Sequence, residues 1–244
     1  MAKLVQKSGY IKSGKASGYM RYIATREGVE KLAGNSAVTK GQRELIQKLL
    51  TDFPDAVELF EYEDYCRTPT LGTASAFISM ALDANLHEID PESGYMQYIA
   101  TRPRVQNRGT HGLFSSATAV DLASAISELE AHEGNVWTII YSLRREDADR
   151  LEYDNADAWR ALLMENAPTL AKSMKISLDN FHWYAAFHDE GHHPHIHMMV
   201  WSDDPKEGFL TRDGIATMRS KLTNAIFRDE MQQIYERKDA AYSD

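Results

Sequence analysis

Eleven residues constrain this chain more than any others: Phe187-His188-Asp189-Glu190-Gly191-His192-His193-Pro194-His195-Ile196-His197. They hold five of its nine histidines. The flanking segments, Asn180 to His188 and Pro194 to Ser202, read as strands, and the polar, Gly- and Pro-containing stretch between them reads as a hairpin turn. Side chains alternate along a strand, so His195 and His197 share one face while Ile196, Met198 and Val200 share the other. Antiparallel pairing lets His188 lie opposite His195 on the histidine face. Three imidazoles then converge on one point.

Three neutral imidazoles can hold a divalent metal and leave its charge almost uncancelled, which suits polarisation of a phosphoryl or carbonyl oxygen. The plain alternative is an exposed, His-rich turn. A lone histidine would favour that alternative, but an H-x-H pair with a third histidine across the hairpin favours the metal. His192 and His193 fall in the turn and are expected to support the ligands or the structure.

The chain has 244 residues, 43% of them hydrophobic and 26% charged, as in soluble globular proteins. No apolar run approaches the length of a membrane span, so no membrane insertion is expected. The N-terminal residues show no signal-peptide pattern. A single cysteine, Cys66, excludes an internal disulfide, fits a reducing cytoplasm and is expected to fill a core position. The net charge of −9 argues mildly against nucleic acid, but residues 1–26 and 93–120 together carry nine Lys or Arg and no acid. The remainder therefore carries −18. A basic groove on an acidic body suits a nucleic-acid backbone.

Along the chain, residues 3–11 read as a strand and Tyr19–Leu32 as a helix. Further helices are expected at 41–52, 55–65 and 73–86. Residues 104–116 read as a loop. Thr118 followed by Asp121 can start a helix to His132, with Gly134 as its stop. A strand spans 135–143, and a short helix runs from Arg144 to Leu151. Asn155 can cap a helix to about Asn166, followed by a short one after Pro168. Thr211 starts a final amphipathic helix to about Lys238. Four or more strands interspersed with helices make an α+β domain with a sheet of about five strands. The helical stretch at about 36–90 reads as an insertion or subdomain.

One decapeptide occurs twice. Ser17-Gly18-Tyr19-Met20-Arg21-Tyr22-Ile23-Ala24-Thr25-Arg26 returns at Ser93-Gly94-Tyr95-Met96-Gln97-Tyr98-Ile99-Ala100-Thr101-Arg102, with a single difference. Each copy places two tyrosines at i and i+3 of a helix, with an arginine one turn beyond. One explanation is a shared packing role against the sheet, expected for at least one copy. The other is chemistry: a tyrosine hydroxyl can attack phosphorus to give a covalent phosphotyrosine, splitting one hard step into two reversible ones.

These residues resemble a known family. His188-x6-His195-x-His197 is similar to the signature of the HUH endonucleases, and more specifically of the relaxases of mobilisable plasmids and conjugative elements. Tyr22-Ile23-Ala24-Thr25-Arg26 after an N-terminal strand resembles the nucleophile motif of the MobP class. Four stretches resemble the MobL-type relaxases of Gram-positive bacteria: 183–197, 142–148, Tyr98-Ile99-Ala100-Thr101-Arg102-Pro103-Arg104-Val105, and His111-Gly112-Leu113-Phe114-Ser115. The resemblance covers nearly the whole chain.

The resemblance implies a relaxase domain over 1–244, built on a central antiparallel sheet with the H-x-H motif on a central strand and helices on its flanks. It implies metal-dependent nicking of one DNA strand at a transfer origin, attachment to the 5′ end through phosphotyrosine, and later rejoining. Tyr22 matches the nucleophile, with Tyr98 a rival or second nucleophile and Tyr19 and Tyr95 weaker candidates. His188, His195 and His197 match the metal ligands. The acid after the first histidine falls at Asp189 or Glu190, with Glu190 preferred, and would orient an imidazole or help deprotonate the tyrosine. Arg21, Arg26, Arg102, Arg104 and Arg108 are the candidate DNA contacts. Magnesium or manganese is implied in use, although imidazole preference favours zinc, nickel or copper, and cobalt also fits. Single-stranded or locally melted origin DNA is the implied partner, with accessory relaxosome and coupling proteins, in a bacterial cytoplasm. Relaxases of this type often continue past the nuclease domain, so an end at Asp244 suggests a short or trimmed member. The competing readings are an HUH replication initiator or transposase with two tyrosines, a metal-dependent phosphodiesterase without a covalent intermediate, and a metal-stabilised DNA-binding module.

Overall fold

The computed structural model describes residues 3–10, 37–85, 96, 99–100, 105–106, 111–117, 119–132, 134–189 and 191–228. Among the described residues, five strands form one sheet: β1 (Val5–Tyr10), β2 (Leu113–Phe114), β3 (Trp137–Ser142), β4 (Phe181–His188) and β5 (His195–Ser202). Their order is β1-β3-β5-β4-β2, with every pairing antiparallel. The α+β sheet expected from the sequence is present, and the strand carrying His195 and His197 is its central one.

Strand periodicity divides the sheet into two faces. The back face presents Ile139 and Tyr141 of β3, Trp183, Ala185 and Phe187 of β4, and Ile196, Met198 and Val200 of β5, all in the largest hydrophobic cluster. Two helices cover it, α6 (Ala156–Ser173) and α7 (Arg212–Ile226), through Trp159, Leu162, Leu163, Met218 and Leu222. The front face carries two smaller cores. One joins Val5 and Ile140 to α1 (Lys40–Asp52), α2 (Phe60–Arg67) and α3 (Leu71–Ala84). The other joins Ala186, Met199 and Trp201 to α4 (Leu122–Glu130) and to Met96, Ile99 and Ala100 of the second decapeptide copy.

Local signals account for most helix starts. Thr39 and Gln42 form a reciprocal capping box at α1, and Thr70 with Thr73 does so at α3; each satisfies amides that a first turn leaves unpaired. Asn155 and Thr211 cap α6 and α7 as expected. The short helix expected from Arg144 is α5 (Arg145–Arg150).

Several expectations need correction. The helix expected at 55–65 is a 3-10 turn, Pro54–Glu58, followed by α2. Leu59 takes extended backbone (φ −68°, ψ 143°) and buries its side chain, which resets the chain direction. The cap of α4 is Asp121, whose carboxylate accepts from the Ser124 amide at 2.8 Å, and the helix begins at Leu122. The stretch 104–116 is not all loop, since Leu113 and Phe114 pair with Ala186 and Ala185. Finally, α6 runs unbroken through Pro168. That proline and Met164, whose carbonyl it leaves unbonded, both lie on the exposed side, where water can take up the free carbonyl, while Leu162, Leu163, Leu170 and Ala171 hold the other side in the core. The helix ends instead at Ser173, and Lys175 (φ 56°) turns the chain so that the Ile176 amide reaches back to the Ala171 carbonyl at 2.9 Å. That backbone usually calls for glycine. The final helix, expected to run to about Lys238, ends as α7 at Ile226, with Phe227 as its C-cap; the expected helix at Tyr19–Leu32 and residues 229–238 lie outside the described residues.

Proline inside a helix removes a backbone bond and strains its turn, at about 3 kcal/mol in an open context. Pro168→Ala is therefore expected to stabilise the protein by about 1–3 kcal/mol. The check is a higher urea midpoint at unchanged slope; an unchanged midpoint would mean that the surrounding helix already absorbs the strain.

Candidate metal centre

The β4–β5 ladder places His188 directly opposite His195, and His197 lies one step further along the same face, opposite Ala186. All three imidazoles are fully buried. Their ring centroids are 4.6–5.2 Å apart, and one nitrogen from each lies within 4.8 Å of the other two. The hairpin convergence expected from the sequence is thus present. Among the described residues, no other group of His, Cys, Asp or Glu is gathered this way.

Backbone carbonyls set the chemistry of two of the rings. His188 bonds through Nε2 to the Ile99 carbonyl at 2.9 Å, and His195 through Nδ1 to the His193 carbonyl at 3.0 Å. A carbonyl only accepts, so those nitrogens carry the protons. In the neutral ring the opposite nitrogens, His188 Nδ1 and His195 Nε2, then hold the lone pairs, the state a metal needs. Buried imidazoles with clustered nitrogens, two of them oriented by a backbone carbonyl, fit a divalent ion.

The turn below the ligands is tied down from two sides. The Leu143 and Arg145 amides donate to the Pro194 and His192 carbonyls at 3.2 and 2.9 Å. The Arg145 side chain reaches the Gly191 carbonyl and pairs with Asp189 at 2.5 Å, so Asp189 is part of a surface ion pair. His193 is not a surface residue. It is buried, stacks on Phe60 of α2 with centroids 5.2 Å apart, and bonds to Asp64 of α2 at 2.8 Å. Burial pushes the His193 imidazole below its usual pKa and outweighs the nearby carboxylate. Burial also pulls Asp64 upward, but hydrogen bonds and charge from His193 and Arg144 hold its carboxyl below the usual range. The pair is accordingly a neutral ring donating to a carboxylate. Arg144 ties the helix in further, bonding Glu63 at 3.0 Å and Asp64 at 3.3 Å while lying 4.6 Å from the centre of the Phe60 ring.

The second decapeptide copy meets the site through its backbone. Ile99 lends its carbonyl to His188, Val105 bridges to His188, and the Gly112 amide donates to the Ala100 carbonyl at 2.8 Å. Gly112 packs so closely that a Cβ there would overlap the Val105 side chain. Met96, Ile99 and Ala100 are fully buried, in line with a packing role for the described part of this copy. On the other side, Lys7 of β1 lies on the histidine face in the same cross-strand row as Ile140 and His197, and is largely buried.

Of the site residues expected from the sequence, His188, His195 and His197 are brought together. Tyr22, Tyr98, Glu190, Arg21, Arg26, Arg102, Arg104 and Arg108, together with Tyr19 and Tyr95, lie outside the described residues. Sequence reading did not single out Asp64, Phe60 or the Ile99 carbonyl. Cys66, expected in a core, is exposed on α2; the buried positions of that helix are Phe60 and Glu61.

An antiparallel α+β sheet with two histidines on its central strand and a third across the hairpin has the arrangement of an HUH-type fold. The chain belongs to the MobL relaxase family, whose profile matches residues 1–243. No curated protein and no solved structure gives a significant match. Among the described residues, no helix is long and apolar enough to cross a membrane.

Two measurements probe this centre. Cobalt(II) at 100 times its Kd is expected to add about 2.7 kcal/mol of stability, a Tm rise of about 5–10 °C for a chain of this size, and His197→Ala is expected to abolish that rise. The second concerns Arg144. Depressed carboxylates such as Asp64 and Glu63 contribute stability that is present above their unfolded pKa values and lost as pH falls through the folded ones. Arg144→Met is therefore expected to destabilise most near neutrality, with a deficit that begins to shrink only as the pH falls below about 4. Denaturation at several pH values checks this, and a deficit independent of pH would assign the loss to packing over Phe60.

Proposed function

We propose that this protein nicks one strand of origin-of-transfer DNA through a covalent 5′-phosphotyrosine and later rejoins the strand. The observation that carries the reading is the buried three-histidine centre on the central strand of a MobL relaxase family member. His188, His195 and His197 would hold the divalent metal, with magnesium or manganese in use. Bound there, the metal would draw charge from the non-bridging oxygens of the scissile phosphate.

The chain's own residues would do the rest. Tyr22 is the proposed nucleophile: its oxygen bonds to phosphorus, the bond to the 3′ oxygen breaks, and that oxygen leaves as a hydroxyl carrying a proton. One phosphodiester is exchanged for another, so no external energy source is required and the reverse step reseals the strand. Glu190 is the proposed proton acceptor or imidazole-orienting acid. Arg21, Arg26, Arg102, Arg104 and Arg108 would grip the DNA backbone. The substrate would be single-stranded or locally melted, because a duplex hides the strand to be cut. Accessory relaxosome and coupling proteins are the further partners of this reading, in a bacterial cytoplasm. We take the whole chain as one relaxase domain, with residues 36–90 a mainly helical subdomain.

A two-tyrosine mechanism is the second reading. It is favoured by the Ile99 carbonyl at His188, because Tyr98 is the residue just before Ile99.

The test is covalent trapping. The protein is incubated with labelled single-stranded origin DNA and Mn²⁺, run on a denaturing gel, and the modified peptide is mapped. An adduct on Tyr22 is expected, with cleavage falling at least about 10³-fold in Tyr22→Phe and in His195→Ala. An adduct on Tyr98 would move the nucleophile to the second copy. Cleavage with no adduct would replace the strand-transfer reading by hydrolysis, and origin binding without cleavage would leave a DNA-binding module.

A further inference from the structure

The β4–β5 turn contains one histidine that points away from the ligand cluster yet is almost fully buried. His193 Nε2 donates to Asp64 Oδ2 at 2.8 Å, across 129 residues of sequence. Its ring lies on Phe60 with an interplanar angle of 23°. Its backbone carbonyl accepts from His195 Nδ1 at 3.0 Å. The carbonyls on both sides of it, those of His192 and Pro194, are held by the Arg145 and Leu143 amides. The His193 peptide is therefore fixed at its ends by the segment after β3 and at its side chain by α2. Asp64 is itself held by Arg144.

We propose that Asp64 is a positioning residue for His195, acting through His193. The inference rests on the reading of His188, His195 and His197 as metal ligands. Asp64 fixes the His193 side chain, which fixes the His193 carbonyl. That carbonyl holds the His195 proton on Nδ1 and turns Nε2, with its lone pair, toward the other two rings. Hydrogen-bond acceptors behind a ligating imidazole set its tautomer and raise its basicity, and losing one weakens metal binding by about 10–100-fold. Here the acceptor is a carbonyl whose own place is set from a distant helix. On this account α2 is part of the metal centre and not only cover for the sheet.

Two readouts on purified protein test this. The first is Co²⁺ affinity from the visible absorption of the bound ion. Wild type is expected to bind, Asp64→Ala to bind about 10–100-fold more weakly, and Asp64→Asn, which keeps an oxygen acceptor, to stay near wild type. Glu63→Ala serves as the control: it removes another partner of Arg144 on the same helix without touching His193, and is expected to leave the affinity unchanged. His193→Phe keeps a ring on Phe60, cannot reach Asp64, and is expected to match Asp64→Ala, so it stands in should that variant not fold. The second readout is metal-free: long-range ¹⁵N–¹H correlation of the histidine side chains. His195 is expected as the Nδ1–H tautomer in wild type and as a mixture in Asp64→Ala and His193→Phe. If affinity and tautomer are both unmoved in those variants, the positioning role is wrong. If the tautomer follows Asp64 while wild type binds no Co²⁺, positioning stands and the metal reading fails. Equal weakening in Glu63→Ala and Asp64→Ala would reduce the effect to general destabilisation of α2 and overturn the proposal.

Discussion

The pairing of His188 with His195 across the β4–β5 ladder is the contact on which the rest of this molecule depends. A strand has period two, so a slip of one residue would carry His195 and His197 into the back-face core and push Ile196, Met198 and Val200 out of it. Each of those three apolar side chains is fully buried, and burial of one is worth about 1.5–3 kcal/mol. The hydrophobic core on one face of the sheet therefore fixes the chemistry on the other. The histidines need no apolar partners of their own to stay in register.

Bringing three imidazoles out of water also has to be offset, because buried polar groups without hydrogen bonds are costly. Two of the rings are matched to backbone carbonyls supplied from different parts of the chain. Ile99 comes from the repeated decapeptide, and His193 comes from the hairpin turn. Around them the front face is divided: one small core joins α1, α2 and α3 to the β1–β3 edge, and another joins α4 and the second copy to the β4–β2 edge. The histidine cluster lies between these two cores at the turn end of the sheet. The helical segment that the sequence suggested as an insertion contributes Phe60, Glu63 and Asp64 to the surroundings of that turn.

How much of this could be read in the sequence follows the range of each interaction. The histidine hairpin was legible because its signal is local: alternation on two strands and a turn of fixed length. The caps at Asn155 and Thr211 were legible for the same reason. Leu113–Phe114 was missed because two residues have no period. The continuous helix through Pro168 was missed because proline's local cost was outweighed by core contacts on both sides of it, and its left-handed stop is written with lysine in place of glycine. Asp64 could not have been found at all, since its partner lies 129 residues away and an acid on a helix carries no mark of what it faces. The Ile99 carbonyl is illegible in principle, because every residue has one. Family resemblance, not periodicity, pointed to Tyr22 and Glu190.

The central place of β5 has a further consequence, in how the molecule loosens. β5 is hydrogen-bonded along its length to β3 on one side and β4 on the other, whereas β1 and the two-residue β2 form the edges of the sheet. Amides in such a central strand exchange with solvent mainly through global opening, while edges and separately packed helices open at lower free energy. The backbone under His195 and His197 thus belongs to the slowest-opening part of the fold. Thermal fluctuation can peel back the surroundings of the cluster, and with them access to it, while the geometry of these two histidines persists until the whole domain unfolds.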